Sequence, residues 1–208
     1  MSKIDFKKEL KPLYRPSARQ FEVVEVPEMQ FLMVDGHGNP NTVPAYREAV
    51  ETLYAVAYKI KFSSKKLLNR DYVVPPLEGL WWAEDMNSFT SNTRDKSQWD
   101  FTLMIMQPEW VTAAMFERAV AKVAEKEPPK LLDKVRFEWL DEGACVQTLH
   151  IGSFDDETEI LDEMHSQFIP DNGYEMSGKH HEIYFSDFRK VAPEKLRTLL
   201  RQPVRRKG

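Results

Sequence analysis

The chain has 208 residues, 42% hydrophobic, 30% charged and 12% aromatic, a balance that places it among globular proteins and excludes disordered and fibrous classes. At this length roughly 70% of the unfolded surface can be buried without staples, and the single cysteine cannot make an internal disulfide, so a reducing cytoplasm is the expected compartment. A net charge of −4 argues against nucleic acid as a partner, and no apolar run approaches the ~18 residues of a membrane span or forms a signal-peptide core.

Residues 1–20 are charged and carry Pro12 and Pro16, which predicts an extended lead-in. The alternation of Phe21-Glu22-Val23-Val24-Glu25-Val26, a turn at Pro27-Glu28, and the run from Met29 to Gly36 predict a strand pair. A loop, Gly36-His37-Gly38-Asn39-Pro40-Asn41, ends at Thr42, whose hydroxyl can cap a helix over about 43–62. That helix carries Tyr46, Val50, Leu53, Tyr54, Ala57 and Ile60 along one stripe. Two further strands follow at Leu80-Trp81-Trp82-Ala83 and at 99–106, the second stopped by Pro108. Thr112 caps another helix, which runs to about Lys126 and ends before Pro128-Pro129.

The order then repeats. Residues 135–140 and 144–152 are strands about a turn at Asp141-Glu142-Gly143, and Ser153 with Asp156 makes a capping-box-like start for a helix reaching about Phe168. His180-His181-Glu182-Ile183-Tyr184-Phe185-Ser186 is a strand, and a closing helix is expected from Pro193, carrying Leu196, Leu199 and Leu200. The repeat predicts an α+β fold: one domain, 21–204, made of two strand-helix-strand-strand modules (about 21–127 and 130–204) about a pseudo-twofold axis, with a cleft between their sheets.

The stretch Gly178-Lys179-His180-His181-Glu182-Ile183-Tyr184-Phe185-Ser186-Asp187, with Pro193-Glu194-Lys195-Leu196-Arg197-Thr198 and Arg201-Gln202-Pro203-Val204, resembles stand-alone GyrI-like small-molecule-binding proteins. The resemblance spans about Phe21 to Val204. It implies the same tandem modules used by effector domains of multidrug-responsive regulators, and a cleft for bulky lipophilic compounds, often cations. It also implies one acidic residue among aromatics, which falls on Glu182 with Tyr184 beside it. Some similar stand-alone proteins are associated with hydrolysis of cyclopropane-bearing DNA alkylators, which makes a hydrolase the alternative reading.

Strand alternation independently puts Ile183 and Phe185 on one face and Glu182 with Tyr184 on the other, taken as the cleft face and as turned away from the helices. In the repeat Trp81 corresponds to Tyr184 and Gly79 to Glu182, with Leu80 and Trp82 then facing the first helix; a one-residue slip would exchange Trp81 and Trp82. Trp81, Trp82, Trp99, Tyr54, Tyr58 and Met104 are therefore candidate ligand contacts, and Glu182 and Tyr184 candidate binding or catalytic groups. A carboxylate between ring faces suits a cation, whereas a carboxylate beside a phenol suits general-base chemistry. Adjacent strand histidines point to opposite faces, so His180-His181 is not expected to chelate a metal, and no cofactor is expected. Cys145, His37 and His150 are expected to be structural.

Overall fold

The computed structural model describes residues 3–18, 20–84, 95–187 and 190–208. The strands are β1 (Glu22–Val26), β2 (Met29–His37), β3 (Leu77–Trp82), β4 (Asp100–Gln107), β5 (Arg136–Leu140), β6 (Gly143–Ile151), β7 (Tyr174–Met176), β8 (His180–Tyr184) and β9 (Arg197–Arg206). The principal helices are α1 (Pro44–Ser63), α2 (Ala113–Ala124) and α3 (Glu157–Glu163). Both α1 and α3 run on into one wide turn, Ser64–Leu68 and Met164–Phe168.

All the strand pairings are antiparallel, and the sheet order β5-β2-β4-β3-β8-β9-β6-β1 is palindromic in the repeat, with β7 on the far end of β9. The two modules thus join edge to edge through β3 and β8, where Gly79 lies opposite Glu182. Paired residues share a face. Leu103, Gly79, Glu182 and Leu200 therefore lie on one side, and that side carries both helices: α1 packs on Leu32, Val34, Phe101 and Leu103, while Met164 and Ile169 cover Val146 and Leu200.

The first strands of the two modules are exchanged. β1 was expected to pair with its neighbour β2, but it pairs with β6, while β5 pairs with β2. Only Pro27-Glu28 joins β1 at one edge to β2 near the other, so the sheet has to curl until its edges approach. Its inner face closes around Phe31, Met33, Leu80, Met104, Met106, Cys145, Ile183 and Leu199. The expected extended lead-in is instead two short helical segments, Phe6–Glu9 and Lys11–Tyr14, whose Leu13 and Tyr14 plug this inner core; Met1, Ser2 and Arg19 lie outside the described residues.

Two local expectations also fail. The closing helix is absent: Pro193–Lys195 make one tight turn and Arg197–Arg206 form β9, a central strand buried on both faces whose unbroken apolar run hides the period of two. Thr42 does not cap α1, because its hydroxyl turns back to the Asn39 carbonyl and Pro44 starts the helix, needing no N–H partner. Thr112 does cap α2, and the Ser153–Asp156 capping box is present. Among the described residues no helix is long and apolar enough to cross a membrane.

Candidate functional site

The candidate cleft is the cluster of aromatic and polar side chains over the β3–β8 seam, which lies on the helix-bearing face and not on the face turned away from the helices as expected. Strand pleating keeps the predicted partition: Ile183 and Phe185 join the inner core, and Glu182 and Tyr184 face the cleft. The same pleat settles the tryptophans. With Gly79 across from Glu182 as expected, Trp81 shares the Tyr184 side, and because α1 covers that side rather than the other, Leu80 and Trp82 point to the inner face, opposite to expectation.

At the centre, Trp81 Nε1 donates to the Tyr184 hydroxyl at 2.9 Å, and that hydroxyl donates to Glu182 Oε2 at 2.7 Å. Tyr46, from the first turn of α1, stacks near Trp81 with ring centroids 6.3 Å apart. Burial, and then the nearby Glu182 charge, hold the Tyr184 and Tyr46 hydroxyls well above the ordinary phenol range, so both stay protonated donors. Phe154 meets Tyr184 edge-on at 5.9 Å, and Trp99 meets Trp81 edge-on at 5.8 Å. The Glu182 side chain is 14% exposed. No lysine or arginine among the described residues pairs with it.

Gly79 is what allows this packing. A β-carbon there would lie 2.9 Å from Trp81 Nε1 and 3.1 Å from the Tyr184 oxygen, inside contact distance of both members of the hydrogen-bond chain. The absence of a side chain opposite Glu182 leaves room for Trp81 to reach the Tyr184 hydroxyl that bonds the carboxylate.

Other candidates sit elsewhere. Tyr54 lies on the α1 face that packs on the helix-side core, and Tyr58 stacks on it at 6.2 Å but is 47% exposed. Met104 is fully buried in the inner core, away from the cleft, because its strand neighbours Leu103 and Ile105 take the helix side. Trp82 lies under the Lys179 ammonium, 3.1 Å from the ring centroid, and borders an open groove of about 270 Å³ on the inner side with Trp139, Arg136 and Leu80. There Arg136 is already bridged by Asp35 and Glu138. The cleft, with its uncompensated carboxylate, is the better candidate. His37 pairs with Asp100, His150 bonds the Ser153 carbonyl, and burial with the Glu142 charge pushes the Cys145 thiol up to about 12, so these three are structural.

Sequence reasoning missed a buried ionic cluster directly beneath the seam. His181 Nε2 meets Glu78 at 2.9 Å and its Nδ1 meets Glu142 at 3.0 Å; Arg201 approaches Glu142 at 3.6 Å and donates to the Leu13 carbonyl at 2.6 Å; and Tyr14 donates to Glu78 at 3.0 Å. Burial alone would lower the His181 pKa, but Glu142 and Glu78 raise it to about 9. Two carboxylates balance an imidazolium and a guanidinium, as burial requires. The setting of Arg201 between Leu199-Leu200 and Val204 was the available signal of its burial.

A duplicated strand-helix-strand-strand domain with an aromatic cleft and a lone carboxylate on its twofold seam belongs to the class of small-molecule-binding modules. The chain is a member of the GyrI-like small molecule binding domain family, which matches residues 19–205. It is similar to an uncharacterized conserved protein from Listeria innocua, at 44% identity and TM-score 0.88 over 98% of this chain and 100% of that one. A hydrolase from Listeria innocua is 42% identical, with TM-score 0.83 over 98% and 100%. The C-terminal domain of EcmrR shares the fold at 12% identity and TM-score 0.53, over 90% of this chain and 98% of that one. No curated protein matches the chain.

Proposed function

We propose that the cleft binds a lipophilic aromatic small molecule bearing positive charge, with Glu182 as counter-charge and Tyr184, Tyr46 and Trp81 as ring walls. The observation that carries this reading is the Glu182 carboxylate, mostly buried among aromatic rings, which no lysine or arginine among the described residues approaches and whose one ionisable neighbour is His180 at 3.5 Å, without hydrogen-bond geometry. A ligand cation supplies the missing charge, and the rings attract it through their faces. Micromolar binding, about 8 kcal/mol, is within reach of aromatic burial in such a cleft.

A second reading, hydrolysis of a strained cyclopropane-bearing electrophile, is favoured by the 42% identity to a hydrolase. In it Glu182 takes a proton from water as the water oxygen bonds to a ring carbon, the strained carbon–carbon bond breaks, and its electron pair moves into the substrate's conjugated acceptor. Tyr184 has only one proton and gives it to Glu182, so its part here is to orient the carboxylate.

Titration of tetraphenylphosphonium and of a neutral aromatic of equal size against wild type and Glu182→Gln tests the first reading. Loss of at least tenfold for the cation alone is expected; equal losses would make Glu182 a mere wall. Single-turnover mass analysis with a cyclopropane-bearing alkylator separates the two readings. A product heavier by one water, formed more slowly by Glu182→Gln at unchanged affinity, marks catalysis, and stoichiometric protection marks binding.

A further inference from the structure

The pseudo-twofold axis allows each cleft residue to be compared with its counterpart in the other module. Gly79 matches Glu182 and Trp81 matches Tyr184; the same spacing matches Leu77 with His180. Along β3 the cleft-facing residues are thus Leu77, Gly79 and Trp81, and along β8 they are His180, Glu182 and Tyr184. Polar chemistry is concentrated on one wall of a duplicated scaffold. Leucine suffices for packing at the position in the first module, so histidine in the second needs its own explanation.

His180 is 6% exposed, yet neither ring nitrogen has a hydrogen-bond partner among the described residues. Its Nε2 lies 3.5 Å from Glu182 Oε1 without hydrogen-bond geometry. His165, from the wide turn that continues α3, brings its ring to 6.0 Å from that of His180, edge to face, and its buried Nε2 is likewise unpartnered. Burial and the neighbouring His180 press the His165 pKa down to about 4, which keeps that ring neutral at physiological pH. A neutral imidazole offers one N–H donor and one bare nitrogen acceptor. Buried polar nitrogens left without partners are costly in a folded protein, and three of them sit on two rings 6.0 Å apart, one of them 3.5 Å from the Glu182 carboxylate.

We propose that His165 and His180 form a polar seat beside Glu182 that hydrogen-bonds an uncharged polar group of the ligand, a phenolic hydroxyl or a carbonyl. The preferred ligand then has an aromatic body between Tyr46, Trp81 and Tyr184 and a hydrogen-bonding head at the two histidines. This rests on the reading of the cleft as the binding site, but not on the ligand's being a cation.

The test uses a matched pair of fluorescent probes, 7-hydroxy-4-methylcoumarin and 7-methoxy-4-methylcoumarin, with tetraphenylphosphonium as a cation that can make no hydrogen bond. Wild type is expected to hold the hydroxyl probe at least tenfold more tightly than the methoxy probe. His180→Leu, which installs the residue of the other module, should erase that preference while leaving phosphonium affinity within twofold and the melting temperature no lower than wild type. His180→Gln keeps hydrogen-bonding capacity and should retain part of the preference, which covers the case of a leucine variant that folds poorly. A wild-type preference below twofold, no binding of either coumarin, or a preference that survives in His180→Leu overturns the seat. Failure of phosphonium binding alone overturns the cation reading and leaves the seat standing.

Discussion

Substituting alanine for Gly79 perturbs the cleft without removing any polar group from it. The added β-carbon would lie 2.9 Å from Trp81 Nε1, 3.1 Å from the Tyr184 oxygen and 3.4 Å from Leu103 Cδ2. Leu103 can accommodate its distance as ordinary contact, but the first two cannot be kept. Trp81 is held by Tyr46, Trp99 and Phe101, and Tyr184 by Phe154 and Glu182, so neither ring has free space to retreat. Overpacking of this kind costs about 1–3 kcal/mol, and separating Trp81 from Tyr184 costs about 1 more. Alanine is favoured over glycine in a strand by roughly 0.5–1 kcal/mol. The net loss is about 1–3 kcal/mol, which at this chain length lowers the melting temperature by roughly 3–10 °C. Affinity for tetraphenylphosphonium should fall further than stability predicts, because a displaced Tyr184 no longer fixes the Glu182 carboxylate. Thermal melts and fluorescence titration at a temperature where both proteins are folded separate these effects. A Gly79→Ala protein that melts and binds like wild type would refute the cleft geometry on which the functional reading depends.

The inner cluster makes two further predictions. His181 has a folded pKa of about 9 against about 6.5 unfolded, so its contribution is fully present below pH 6.5 and is lost as pH rises through 9; stability should fall by up to about 3 kcal/mol across that window in denaturant titrations, and His181→Gln should flatten the fall. Arg201→Met removes one of the two cations that Glu142 faces and the donor to the Leu13 carbonyl, and should cost about 3–5 kcal/mol by urea unfolding, whereas a loss under 1 kcal/mol would mean the cluster is not closed as described.

The sequence carried the elements more faithfully than their partners. Seven of the strands and both long helices have strong periodicity or cap signals of their own, such as Thr112 on α2 and the Ser153–Asp156 box before α3. Pairing is another matter. Pro27-Glu28 and Asp141-Glu142 look like hairpin turns, and nothing local distinguishes a chain that folds back on itself from one that crosses to the far edge of a curled sheet. That distinction lies in contacts separated by more than a hundred residues, Val24 with Cys145 and Phe31 with Glu138. β9 was misread for a related reason: where a strand is buried on both faces, its alternation disappears and Leu196, Leu199 and Leu200 fall at helical spacing by accident.

The cleft residues were legible in proportion to how far alternation alone could carry them. The pleat of β8 separates Glu182 and Tyr184 from Ile183 whatever the fold around them, so that grouping survived although the face it belonged to was misassigned. Tyr46, Phe154 and His165 reach Tyr184 and His180 from helices and turns, and only the packing of those elements over the seam brings them there. His181 and Glu78 show the converse. Each is one residue away from a cleft position, and the same pleat that aims Glu182 at a ligand sends His181 into the inner cluster. The seam thus has a charge-balanced pair on its inner face, and on its cleft face an unbalanced carboxylate opposite a bare glycine. A fold that can neutralise charge so thoroughly on one side of a strand has left it open on the other, and that asymmetry is the physical reason to look for a ligand there.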